Sequence, residues 1–225
     1  MAKRPSSKAR LAVKNREDGN APARGKDVGS SPMRSDHAAG NPPVRKNEEH
    51  VAEIIGVSHE GAGVGRVNGF TLFVSGALPG EKVRVKVLKV KKQYGYAKLL
   101  EVIEPSADRT DAPCPVFRQC GGCQLQHMDY AAQLAAKEEL VREAFRRYVG
   151  DVPVPLRPIL GMDEPWGYRN KAQLQVGYRQ GQLIAGLYAA GTHRLVDISG
   201  CPIQQPVINE VIWTVADIAA QLSIP

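Results

Sequence analysis

The sequence predicts an α+β protein: a small five-stranded β-barrel of OB-like plan, followed by an α+β region organised around cysteines. Three observations carry this expectation. Asn68-Gly69 lies between two apolar runs, and Asn-Gly suits a type I′ hairpin because both central residues take φ > 0. Val83, Val85 and Val87 alternate with Lys82, Arg84 and Lys86, which gives a strand one apolar and one basic face. Cys114, Cys120 and Cys123 crowd one proline-rich loop, and the remaining cysteine, Cys201, lies far downstream.

Residues 1–47 hold 11 Lys and Arg against 4 Asp and Glu, which accounts for the whole net charge of +7. This stretch is rich in Pro, Gly, Ser and Ala. It lacks the apolar surface to offset its chain entropy, so it is expected to be disordered. It reads either as a solubilising extension or as an arm whose cations release counterions from a phosphate backbone. Nothing approaches the roughly 18 consecutive apolar residues of a membrane span. The basic N-terminus lacks the apolar stretch of a secretory signal. A cytosolic location, with no membrane partner, is the expectation.

Residues 48–104 read as the barrel. "VAEIIGVS" and "GAGVGRV" precede the Asn-Gly turn, and "FTLFV" follows it. The alternation in "EKVRVKV" slips at Leu88, which predicts a bulge. "YGYAKLLEVIE" supplies the last strand. Five short strands in so few residues fit an OB-like barrel. The basic face continues through Lys89, Lys91, Lys92 and Lys98, with Tyr94 and Tyr96 interleaved. Cations beside exposed rings suit a nucleic-acid backbone and its bases, whereas core tyrosines on a solvated strand face are the alternative.

Residues 105–225 form the second region. Pro105, Pro113, Pro115 and the cysteines leave little periodicity over 105–128. A helix follows, with Asp129 as N-cap, an apolar face at Leu134, Val141, Phe145 and Tyr148, Arg146 and Arg147 in its last turn, and Gly150 at its end. "DVPVPLRPIL" is a connector. A second β region starts near Tyr168, where Ala172, Leu174 and Val176 alternate with polar residues. "YRQGQ" turns into "LIAGLYA", and "HRLVDI" is a third strand. Pro206 opens a helix expected to turn Val207, Val211, Val215, Ile218 and Leu222 toward the core. Trp166 and Trp213 are expected in the core. Arg169, Asn170 and Lys171 are candidate RNA contacts, and Arg169 could equally pair with Asp197.

Thiolates bind soft metals, and both structural zinc and iron–sulfur clusters commonly take four. C-x5-C-x2-C departs from the paired spacing of zinc fingers. Three ligands on one loop plus a distant fourth suits an iron–sulfur cluster, and Cys114 and Cys201 each precede a proline, as in some ferredoxin runs. Gly121 and Gly122 can take strained backbone angles and leave N–H groups facing sulfur. From spacing alone, an iron–sulfur cluster, a zinc ion and free or redox thiols all remain open. His127 reads as a donor behind a metal centre or as a structural loop histidine.

The segment "CPVFRQCGGCQLQHMDYAAQLAAKEELV" resembles the cluster-binding segment of the iron–sulfur-containing 23S rRNA (uracil-5-)-methyltransferases. Gln126-His127, Tyr130 and Lys137 follow in the family's order. "GVSHEGAGVGRVNGFTLFVSGALPGEKVRVKV" is similar to the family's N-terminal TRAM domain. "GYRNKAQLQVG" and "GTHRLVDISGCPIQ" resemble central-domain segments, the latter bearing the fourth ligand at Cys201. The resemblance covers about 50–225. It implies a [4Fe–4S] cluster on Cys114, Cys120, Cys123 and Cys201. It also implies S-adenosylmethionine-dependent methylation of uridine C5 in RNA, most readily ribosomal RNA, by a monomer. RNA contacts are expected at Lys89, Lys91, Lys92, Tyr94, Arg169 and Lys171.

In the family a cysteine attacks uridine C6 from a C-terminal Rossmann-like domain, and that domain is expected to be absent from this chain. No Gly-rich strand–turn–helix with a downstream acid is present, and "GAGVGRV" sits in a hairpin. No catalytic or S-adenosylmethionine-binding residue is therefore assigned, and the chain alone is expected to be inactive. The alternatives are a stand-alone RNA-binding module with a structural zinc or iron–sulfur site, and a small electron-transfer protein. The latter would leave the basic barrel and tail unexplained.

Overall fold

The computed structural model describes residues 42–222 apart from 151, 180, 181 and 199. Most of the basic tail expected over 1–47 lies outside the described residues. Its last part belongs to the barrel: Val44 is buried in the core, and the Asn47 N–H donates to the Val87 carbonyl at 2.8 Å.

The barrel consists of β1 (Glu49–Val57), β2 (Gly63–Val67), β3 (Phe70–Ser75), β4 (Lys82–Val90) and β5 (Tyr94–Glu104), closed in the order β1-β2-β3-β5-β4. The β2–β3 hairpin turns through Asn68 (φ 49°) and Gly69 (φ 78°), as the Asn-Gly pair predicts. Val83, Val85 and Val87 are fully buried with Leu72 and Val74. The β4–β5 register shifts between Val87 and Lys89, so Leu88 is the extra residue and is turned out to solvent. The "GAGVGRV" glycines serve the barrel wall. A Cβ on Gly63 would lie 2.6 Å from the Ala77 carbonyl oxygen, and one on Gly65 would lie 3.1 Å from the Glu53 carbonyl oxygen.

In the second region, α1 (Tyr130–Val149) is capped by Asp129, whose carboxylate accepts from the Ala131 N–H at 2.9 Å. An antiparallel sheet follows, β6 (Gln175–Arg179), β7 (Gln182–Tyr188) and β8 (Leu195–Asp197), in chain order. Helix α2 (Pro206–Gln221) starts at Pro206 as expected and lies on β7.

Three expectations are corrected here. Strand pairing begins only at Gln175, so Ala172 and Leu174 lie outside the sheet. The backbone at Arg169 pairs instead with the segment after Cys201: Arg169 N–H donates to the Ile203 carbonyl at 2.7 Å, and Gln205 N–H to the Arg169 carbonyl at 2.9 Å. Second, the apolar stripe of α2 is exposed, from Ile218 at 48% to Leu222 at 67%, and Ala219 is its buried residue. On α1, Leu134 packs near Gly161, but Val141, Phe145 and Tyr148 are exposed. Third, Trp166 and Trp213 are exposed rather than core. Periodicity made these faces apolar, and much of each stays exposed among the described residues.

At Gly186, a Cβ would overlap the Val196 carbonyl oxygen of the neighbouring strand. Gly186→Ala should push β8 from β7 and cost about 1–3 kcal/mol, the range for overpacking. Denaturant unfolding should show the loss as a lower midpoint.

Candidate metal centre and nucleic-acid interface

Ser106, Arg109 and the loop after them are tied to the barrel by a buried carboxylate. The Glu81 side chain is fully buried and accepts from the Leu78 N–H at 2.8 Å, from Arg109 Nη2 at 2.8 Å and from Arg109 Nε. Arg109 also donates to the Gly76 carbonyl at 2.8 Å. Burial pushes the Glu81 carboxyl up, but the Arg109 guanidinium and the Leu78 and Ser106 N–H groups outweigh it and hold the carboxyl below its usual value. The barrel also meets the loop at Gly61 (φ 78°), where a Cβ would lie 2.6 Å from Gln124 Cβ.

All four cysteines line one cavity, with Val116, Phe117, Leu187, Ile198 and Ile203 as its apolar wall and Gln126 and Arg169 as its polar members. None forms a disulfide. Burial pushes the Cys114 and Cys123 thiols up, and the neighbouring Cys201 and Cys120 push the same way. Gln126 is buried and accepts from the Cys114 N–H at 3.3 Å. Cys201 is held from α2: its N–H donates to Asn209 Oδ1 at 3.1 Å, and Asn209 Nδ2 donates to its carbonyl at 3.2 Å. Among the described residues no three His, Cys, Asp or Glu side chains converge closely enough to grip a single metal ion.

Gly121 and Gly122 do not have positive φ, so strained angles are not their role. Gly121 allows close approach: its N–H donates to the Tyr188 carbonyl at 3.1 Å, and a Cβ there would lie 2.9 Å from that oxygen. The Gly122 N–H does face sulfur, donating to Cys120 Sγ at 3.3 Å. His127 is buried against Phe117, with ring centroids 5.2 Å apart, and is not among the residues lining the cavity. Burial, then the nearby Arg109 charge, holds its pKa down, which favours the neutral ring.

Arg169 lies outside the barrel, two positions from Lys171. It lines the cysteine cavity, where its charge favours the Cys123 thiolate, and among the described residues it makes no ion pair with Asp197. Lys171 is exposed outside the sheet. The sequence reading missed Glu81, Arg109 and Asn209. An acid between apolar "ALPG" and the alternating "KVRVKV" was a visible signal for the first, but its partner lies 28 positions away.

On the barrel, Lys82 holds Glu104 at 3.1 Å and Arg84 holds Glu101 at 2.5 Å. Arg66, Lys86, Lys89, Lys91, Lys92 and Lys98 make no ion pair among the described residues. The basic face is thus neutralised at one end and free at the other.

The fold and the site define a closed five-stranded barrel joined to an α+β region with a cysteine-lined cavity. Residues 43–100 match the TRAM domain. The chain is 50% identical over 182 residues to a Halalkalibacterium halodurans protein named as an uncharacterized RNA methyltransferase, covering 81% of this chain and 40% of that protein. A Clostridium tetani protein of the same name is 43% identical over 170 residues, covering 76% of this chain and 37% of its own length. The crystal structure of Pyrococcus abyssi tRNA (uracil-54, C5)-methyltransferase with S-adenosyl-L-homocysteine shares the fold, with a TM-score of 0.50 and 22% identity over 77% of this chain and 37% of that one. The chain thus spans about two fifths of the length of these relatives. No helix among the described residues is long and apolar enough to cross a membrane.

Proposed function

We propose that this chain is the RNA-binding and cluster-bearing portion of an S-adenosylmethionine-dependent methyltransferase that modifies uridine C5 in ribosomal RNA, acting as a cytoplasmic monomer. The observation that carries the reading is the meeting of four cysteines, one of them 78 positions beyond the next, on one cavity in a chain that also carries a TRAM barrel. The relatives' names support the methyltransferase reading, over alignments longer than either region alone. They do not favour a stand-alone RNA-binding module. Free clustered thiols suit a reducing compartment.

The residues present fit a [4Fe–4S] cluster. The ground is the donor set: four thiols line one largely apolar cavity, and four thiolates are the usual ligands of such a cluster. Cys114, Cys120, Cys123 and Cys201 would hold it. When bound, it would cross-link the 114–123 loop to the segment after β8. Arg169 would offset part of the thiolate charge, the Gly122 N–H would donate to the Cys120 sulfur, and the apolar wall would exclude water. With four cysteines at the cavity, none is left to attack uridine C6. The 225-residue chain, given S-adenosylmethionine and ribosomal RNA, is expected to form no 5-methyluridine.

RNA is proposed to be held by Lys89, Lys91, Lys92 and Tyr94, with Arg169 and Lys171 beyond the barrel. Changing Lys89, Lys91 and Lys92 together to Glu should weaken RNA binding and flatten its salt dependence. Each lost phosphate contact removes about 0.7–0.9 from the log–log slope. The modification itself is tested by mass spectrometry of RNA from cells lacking the whole protein. One missing 5-methyluridine in ribosomal RNA is expected. A loss confined to transfer RNA would reassign the substrate, and no loss would remove the activity.

A further inference from the structure

The parallel pairing of β3 and β5 sets Thr71 opposite Tyr94, Phe73 opposite Tyr96, and Ser75 opposite Lys98. Leu72, Val74, Gly95 and Ala97 alternate with these residues and fill the core, so Phe73, Tyr94 and Tyr96 stand on the outer wall. The three rings touch one another, with centroids 5.5 Å apart for Phe73–Tyr94, 5.8 Å for Phe73–Tyr96 and 5.7 Å for Tyr94–Tyr96. Tyr96 is 39% exposed. Strand alternation puts the two tyrosines on one face, and Gly95 between them faces the core, where a Cβ would lie 2.9 Å from Leu72 Cδ2 and from the Lys89 carbonyl oxygen.

The rings do not complete the core, which is closed beneath them. Their strand neighbours Thr71 and Ser75 are small, Tyr96 is exposed, and Phe73 and Tyr94 are half-buried. Unpaired cations border them: Lys89 is in register with Tyr96, Lys98 is two residues further along β5, and Lys91 and Lys92 enter the turn before Tyr94. The paired cations Lys82 and Arg84 lie at the other end of β4.

We infer that Phe73, Tyr94 and Tyr96 form a stacking platform for unpaired bases, so that this barrel takes single-stranded rather than duplex RNA. The inference rests on the RNA-binding reading above and narrows it. In a duplex the flat faces of the bases are buried in the stack, and phosphates alone would be offered to the lysines. A single strand offers both, and stacking on an aromatic ring contributes about 1–3 kcal/mol per base.

The test is fluorescence anisotropy with the whole chain, a labelled oligouridylate strand and a duplex RNA of equal length. The strand should bind tighter than the duplex at equal salt. Tyr94→Leu with Tyr96→Leu should weaken strand binding about tenfold or more, the equivalent of roughly 1.4 kcal/mol. Duplex affinity and the salt slope should not change. Tyr94→Phe with Tyr96→Phe, which keeps the rings and their packing, should restore strand binding and controls for folding. If the Leu pair leaves strand affinity unchanged while the Lys89, Lys91 and Lys92 variant still lowers it, the platform is overturned and the RNA reading stands. If neither RNA binds, both fall.

Discussion

Arg109→Ala should lower the unfolding free energy by about 3–5 kcal/mol, the range for breaking a buried ion pair from one side. The loss arises because the Glu81 side chain has no exposure and would keep its charge without the guanidinium. Replacing both residues with apolar side chains should cost much less than the sum of the single changes, since no stranded charge remains. The pH dependence follows from the direction of the Glu81 shift. Its carboxyl lies below the ordinary value in the folded chain, so in that window the unfolded chain binds more protons. Stability from this group is present above the ordinary glutamate value of about 4.3 and is lost as pH falls through the folded value. In Arg109→Ala, burial is the dominant cause left, and it pushes the carboxyl up. The variant should then lose stability as pH rises from the ordinary glutamate value of about 4.3 through the raised folded value, so its deficit should be larger at neutral pH than in acid. Denaturant unfolding across pH checks this. A deficit that is constant with pH would mean that the Arg109 side chain acts by packing alone.

Cys201→Ser should abolish iron loading, from about four irons per chain in anaerobically purified protein to a small fraction of that. The substitution isolates the ligand. The Asn209 side chain holds the Cys201 backbone through its N–H and carbonyl, and both bonds survive in serine. The loop over 114–128 should then exchange its amide protons faster than in the loaded protein, while the barrel, with its separate core, should not. Metal analysis with a visible spectrum measures the first effect, and hydrogen exchange the second. Full iron retention would remove Cys201 from the ligand set. A colourless protein with one zinc would end the cluster reading altogether.

Much of this molecule is written in local patterns. The five strands, the Asn68-Gly69 turn, the outward slip at Leu88, the Asp129 cap and the Pro206 start each depend on residues within a few positions of one another. Alternation and capping act at that range, so reading them needs no knowledge of the rest of the chain. The cysteines were legible as a set because thiolate chemistry singles them out whatever their surroundings.

What tertiary structure decided are the encounters between distant segments. Arg169 was read as a possible partner of Asp197, but the bridge at Gln204 carries it to the cysteine cavity. Glu81 meets Arg109, and Asn209 meets Cys201, through the way the barrel, loop and second helix pack. The stripe from Val207 to Leu222 shows the same limit. Helical periodicity determines which side of α2 is apolar, because that is a matter of angle along one chain. Which surface covers that side depends on what lies opposite in space, and a pattern confined to one segment carries no information about its neighbour.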